Sequence, residues 1–166
     1  FDARSRAVAQ AFAQPSHLGS LAHIVPQAVA RYGRDQLAEG DMLLCNDPFT
    51  GGVHLNDITL IAPVFHEGAL FGFLANIAHH VDVGGGAPGS IGVSSEIYQE
   101  GLVIPPVRFV RDGAIDPGVF EIIRDAWGES ASNCSRGFSA AWSSSWSRRR
   151  AKCAGKSYSK KPASET

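Results

Sequence analysis

The sequence predicts an α+β domain: an antiparallel or mixed sheet with two short helices. Three observations lead there. Apolar runs of strand length are separated by tight-turn residues, most clearly Ile58–Phe65 and Ala69–Ala78 about His66-Glu67-Gly68. Only two stretches carry a helical stripe, one through Leu21, Ile24, Val25, Ala28 and Val29, the other through Val119, Ile122 and Ile123. Strands and helices do not alternate as βαβ units require, so a doubly wound sheet is not expected.

Taken in order, Phe1-Asp2-Ala3-Arg4-Ser5-Arg6 reads as a hairpin tip entering a short strand at residues 7–10. Residues 14–20 form a loop, and Ser20 suits the N-cap of a helix reaching Tyr32-Gly33. Pro26 fits that helix only if the helix begins near it or kinks there. Leu37 to Asp41 is a connection, and Met42–Cys45 a short buried strand. Asn46-Asp47-Pro48 ends it, because these residues favour turns and Pro48 cannot donate to a ladder. The hairpin at 58–78 follows. Arg108 to Arg111 is a further strand, Asp112-Gly113 a turn, and Asp116 caps a helix with Pro117 at its first position.

With 166 residues the chain is long enough for one domain with a real core. Its net charge of −1 hides an asymmetry: residues 1–130 hold 7 Lys+Arg against 15 Asp+Glu, residues 131–166 hold 8 against 1. The expected division is a domain over 1–129 and a basic, Ser-rich tail over 130–166. Beyond Trp127 no apolar period persists, so the tail cannot bury enough surface to offset its ordering entropy, and disorder is expected from about residue 130. A tail without an evolved role, for instance from a frameshift, is expected ahead of a basic RNA- or membrane-binding arm. The acidic body argues against nucleic acid as its partner. No run of about 18 apolar residues predicts a membrane span. Cys45, Cys134 and Cys153 make neither a disulfide framework nor a CxxC pair, which fits a reducing, cytoplasmic setting. The chain opens at Phe1 without a methionine, so its true start is expected to be missing.

The chemistry concentrates between Asn46 and Asp82, where four of the six histidines fall, His66 at the hairpin turn and the other three nearer the window's polar ends. His54 and Asp57 can converge if residues 54–57 turn. Along an extended strand side chains alternate faces, so His79 shares a face with Phe71, Phe73, Ala75 and Ile77, and His80 shares the other with Asp82. One of these two histidines then completes a ligand set while the other supports it. Neutral imidazole with carboxylate suits Zn²⁺, Mn²⁺ or Fe²⁺, and three protein ligands leave room for water. Ordinary hydrogen-bonded histidines are the alternative. Gly84-Gly85-Gly86 offers backbone amides to an anion, Gly85 at its centre, but lacks the Lys-Ser/Thr of a P-loop. Glu96 or Glu100 can serve as a general base near a metal, or simply be solvated. His17, beside a helix start, is placed to contact substrate, or else bonds to backbone.

Asn46-Asp47-Pro48-Phe49 through Gly51-Gly52-Val53-His54-Leu55-Asn56-Asp57, then His79-His80-Val81-Asp82-Val83-Gly84-Gly85, Pro88-Gly89-Ser90 and Glu96-Ile97-Tyr98-Gln99-Glu100-Gly101-Leu102, resemble the hydantoinase B/oxoprolinase family. Ile104-Pro105-Pro106-Val107 and, upstream, His17-Leu18-Gly19-Ser20 fit as well. The resemblance runs from Phe1 to about Asp125 and stops near Ala126, as in an N-terminal fragment of a much longer protein. It implies the B-type subunit of an ATP-dependent enzyme that opens cyclic amides such as hydantoins or 5-oxoproline. The A-type partner binds ATP and activates the substrate. Related members are acetone or acetophenone carboxylases, so a ketone carboxylase subunit and an inactive truncated product are the alternatives. The resemblance also implies a divalent metal on His54, Asp57 and His79. Asp47, His80 and Asp82 then become supporting residues, Asp47 and Glu96 candidates for catalysis, and His17 and Gly85 substrate contacts.

Overall fold

The computed structural model describes residues 1–87 and 92–127. The tail expected over 130–166 lies outside the described residues, as does the Pro88-Gly89-Ser90 of the family motif. The elements are α1 (Pro15–Tyr32), β1 (Met42–Cys45), β2 (Asp57–His66), β3 (Ala69–His79), β4 (Val107–Arg111), β5 (Ala114–Ile115) and α2 (Pro117–Trp127). All strand pairs are antiparallel, in the order β3-β2-β1-β4-β5. This is the α+β arrangement that the sequence predicts, although α1, at 18 residues, is not short.

Period-two alternation sorts the core into two layers. Leu43 and Cys45 of β1, Ile61 of β2 and Phe73 of β3 pack with Ile24, Val25, Ala28 and Val29 of α1. Met42 and Leu44 of β1, with Ile58, Leu60 and Ala62 of β2, pack instead with Ile123 and Trp127 of α2. All four residues of β1 are buried because both faces of this central strand are covered. Each Leu or Ile so buried contributes about 1.5–3 kcal/mol relative to exposure.

The helix α1 begins five residues before Ser20. Pro15 stands at its start, where the missing N–H would have had no helical partner anyway. Ser20 is therefore internal, and its hydroxyl donates back to the His17 carbonyl at 3.2 Å. The helix also continues through Pro26 and ends at Gly33, whose φ of 100° favours glycine. The strand expected at residues 7–10 does not form. Asp2 accepts from the Arg4 and Arg6 amides, turning the chain, and Phe1 pairs instead with Phe73 on the edge of β3.

The β2–β3 turn uses two successive positive φ values, 52° at Glu67 and 78° at Gly68, the twist that a two-residue hairpin needs. Along the hairpin, Val64 pairs Gly72 but Phe65 pairs Leu70, which leaves Phe71 as an extra residue. Phe71 is therefore exposed, and Leu70 takes its place against the α1 layer. In α2, Asp116 Oδ1 accepts from the Gly118 and Val119 amides, capping the helix. Ile123 and Trp127 turn inward from α2, whereas Ile122 is exposed. Among the described residues no helix is long and apolar enough to cross a membrane.

Candidate metal centre

The site is built on the loop between β1 and β2. Asn46, fully buried, fixes its first residue: the side-chain amide donates to the carbonyls of Leu55 (2.7 Å) and Leu102 (2.8 Å), and its oxygen accepts from the Ile104 amide (2.6 Å). Such a buried amide is stable only when its donors and acceptor are paired, and these are. Asp47 caps a 3₁₀ turn at Pro48–Thr50 through the Phe49 amide (2.9 Å). The other oxygen of Asp47 accepts from the Thr50 hydroxyl and from Arg31 of α1, each at 2.9 Å. Gly51 follows with φ of 102°, and an added Cβ there would stand 3.0 Å from the Ile24 amide nitrogen of α1. The loop thus lies directly on the helix.

The chain then turns at residues 54–57, with the Asp57 amide donating to the His54 carbonyl at 3.0 Å. This brings His54 Nδ1 to 2.7 Å from Asp57 Oδ2. Asp57 opens β2 and lies directly opposite His79, the last residue of β3. His79 Nδ1 is 2.8 Å from Asp57 Oδ1. A ligand atom from each of the three residues lies within 4.8 Å of the others. Asp57 is wholly buried, whereas the His54 and His79 side chains are 54% and 47% exposed. Burial pushes the Asp57 carboxyl up, but the hydrogen bonds from His79 and His54, with the charges of His17 and His54, outweigh it and hold the carboxyl below the usual range. A carboxylate kept ionised beside two solvent-facing imidazoles is the donor chemistry that borderline divalent ions take. Tetrahedral ligands bonded at about 2.0–2.2 Å sit roughly 3.4 Å apart.

His17 joins this group from α1: its Nε2 is 3.2 Å from Asp57 Oδ1, the oxygen that His79 also meets. The sequence leaves His17 between a substrate contact and a backbone-bonded loop position, and does not point to Asp57. The available signal was Pro15, whose position at a helix start sets His17 on the first turn. His80 faces the other side of the sheet, as strand alternation requires, with its ring centre 5.7 Å from that of Trp127. Burial chiefly, and then the charge of His79, lowers the His80 pKa against the opposing pull of Asp57. Its backbone is held by Asn56, through a side-chain bond to the His80 carbonyl (2.7 Å) and from the His80 amide (2.8 Å).

The remaining expected residues lie outside the trio. Asp47 has both oxygens engaged by the cap and Arg31. Asp82 Oδ1 accepts from the Gly84 amide at 2.9 Å, starting the glycine-rich turn. Gly85 packs so closely on the Glu100 carbonyl that a Cβ would overlap it, which gives the glycine a packing reason. Neighbouring bonds, Leu102 to Val83 and Gly86 to Gln99, lace this turn to the segment carrying the 3₁₀ turn Ile97–Gln99. Glu96, exposed, stands at the head of that 3₁₀ turn and is not among the clustered ligands.

A family model described as hydantoinase B/oxoprolinase matches residues 1–143, extending past Asp125, where the sequence motifs stop. The chain is 42% identical over 115 residues to the 5-oxoprolinase of Saccharomyces cerevisiae, a match covering 68% of this chain and 9% of that one. The crystal structure of ATP-dependent caprolactamase from Pseudomonas jessenii is similar at a TM-score of 0.62 and 34% identity, over 74% of this chain and 22% of that one. A nucleotide-free acetone carboxylase structure gives a TM-score of 0.63 at 21% identity, over 70% of this chain and 16% of that one, a likeness of fold alone. The chain spans less than a quarter of the length of each of these proteins.

Proposed function

The chain belongs to the hydantoinase B/oxoprolinase family, and from that premise we propose that it carries the metal-holding part of a subunit that hydrolyses a cyclic amide. The observation that carries this reading is the convergence of His54 and His79 on the buried Asp57, at 2.7 and 2.8 Å. The names of two relatives, 5-oxoprolinase and caprolactamase, both denote ring amides, which supports a lactam or hydantoin as substrate class. A relative named caprolactamase subunit beta supports a partner subunit, here of the A type, that uses ATP to activate the ring.

In this reading His54, Asp57 and His79 hold a divalent ion, Zn²⁺, Mn²⁺ or Fe²⁺. When bound, that ion supplies Lewis acidity toward water and an amide carbonyl. Asp57 provides the fixed negative charge, and its burial keeps bulk water from competing for its lone pairs. The half-exposed imidazoles leave one side of the site open to substrate. Glu96, exposed at the head of the Ile97–Gln99 turn, is the carboxylate assigned to proton transfer in this reading. Asp47 acts through the loop, fixing its path between Arg31 and the 3₁₀ turn.

Metal analysis of the purified chain tests the centre. One equivalent of ion is expected, and His54→Ala should abolish it; full retention of metal by that variant would sink the assignment. The reaction is tested by combining the chain with an A-type subunit, ATP and 5-oxoproline or caprolactam, scoring the ring-opened acid. A bicarbonate-dependent product from acetone, with no amide opening, would overturn the amide reading in favour of a carboxylase.

A further inference from the structure

We propose that His17 is a positioning residue that sets the rotation of the Asp57 carboxylate from outside the ligand set, tying helix α1 to the metal centre. This rests on the metal reading above and adds a fourth residue with a different task.

Three observations support it. His17 Nε2 lies 3.2 Å from Asp57 Oδ1, within hydrogen-bond reach, yet His17 is absent from the group whose ligand atoms lie within 4.8 Å of one another. Its side chain is 17% exposed, against 54% for His54 and 47% for His79, so it is shielded from solvent where the other two rings are open to it. Its backbone is anchored: the carbonyl of His17 accepts from the Ser20 hydroxyl at 3.2 Å, and the next amide, of Leu18, donates to Gln14 at 3.1 Å. The same helix grips the site loop further along, where Arg31 donates to Asp47 (2.9 Å) and to Thr50 (3.1 Å). Residues 17 and 31 thus fasten one rigid element to both ends of the segment that carries His54. A ligating carboxylate whose other contacts are fixed loses less freedom on binding an ion, and removing such a support typically weakens metal affinity about 10–100-fold.

The test is a Mn²⁺ titration of the whole chain, read by the electron paramagnetic resonance signal of free ion, in wild type, His17→Ala and His17→Gln. Glutamine places an amide N–H close to where Nε2 stands, so it keeps the bond without a metal-binding imidazole. A 10–100-fold weakening in His17→Ala with near wild-type affinity in His17→Gln is the expected result. Unchanged affinity in a folded His17→Ala overturns the proposal. Equal loss in both variants also overturns it, because His17 would then be a ligand. Should His17→Ala not fold, the glutamine variant decides alone: retained affinity supports the role and lost affinity refutes it. Absence of Mn²⁺ binding in wild type would instead strike the metal reading itself, a distinguishable failure.

Discussion

Two buried aspartates ten positions apart, Asp47 at the start of the β1–β2 loop and Asp57 where β2 begins, are satisfied by different chemistry. Asp47 is met by a guanidinium, a hydroxyl and a backbone amide. Asp57 is met by three imidazoles and the His54 amide. None of the side-chain donors around Asp47 offers a good lone pair to an ion: Arg has none and hydroxyls are weak. Imidazole is different, since a neutral ring gives up its hydrogen bond and turns a nitrogen lone pair to a metal. The contrast teaches that the identity of the donors, and not burial of the carboxylate, separates a candidate reactive centre from a structural cap.

Swapping each carboxylate in turn is the strongest way to break that contrast. Asp57→Asn should weaken Mn²⁺ binding more than about 100-fold, beyond what supporting residues cost. Asp47→Ala should change affinity less than about tenfold, below the supporting-residue range. It should instead cost about 1–3 kcal/mol of stability through the lost cap and hydrogen bonds, read by urea unfolding. Equal metal loss in both variants would erase the distinction. A finer version compares neighbours on opposite faces of β3. His79→Ala should reduce affinity by at least about tenfold, while His80→Phe, turned toward Trp127, stays below that. The reverse ranking would place the ion on the α2 side of the sheet.

The smallest effect concerns Cys45, the residue just before the site loop. Burial first, and then the charge of Asp47, push its thiol up from 9.0 to about 12. Iodoacetamide at pH 8 should therefore leave Cys45 unmodified in the native chain and alkylate it in urea, as peptide mass mapping would read. The folded thiol holds its proton where the unfolded one releases it. This contribution to stability is full below pH 9 and is lost as pH rises from 9 toward 12. Cys45→Ala should flatten that part of an alkaline melting series.

How much of this was legible in the sequence depends on how local each feature is. The hairpin was readable because alternation and turn residues lie side by side, and strand parity alone puts His79 and His80 on opposite faces. The resemblance to the family then singled out His79. Phe71 was misassigned because a bulge is set by the partner strand, which no run of one strand's residues reveals. The start of α1 was set too late: Ser20 and Pro26 carried more weight than Pro15. That displacement hid His17, whose meeting with Asp57 spans 40 positions and depends on how a helix docks. Ile122 was drawn into the α2 stripe, though Ile123 and Trp127 face the core there. Asp47 was legible as polar and central, but nothing in its vicinity announced that Arg31 would claim it.

The pairing of Asp57 with His79 at the open end of the β2–β3 hairpin has a consequence for how the centre comes into being. Residues 54–79 are one continuous stretch, so the trio is held by a single hairpin counted outward from its turn at Glu67-Gly68. Its accuracy is a matter of count: a one-residue slip in the final rungs would swing the terminal imidazole to the opposite side of the sheet. The extra residue at Phe71 lies on the tip side of those rungs and absorbs a mismatch before it reaches them. The hairpin behaves as a vernier, whose tip can be irregular while the reading at its far end stays true.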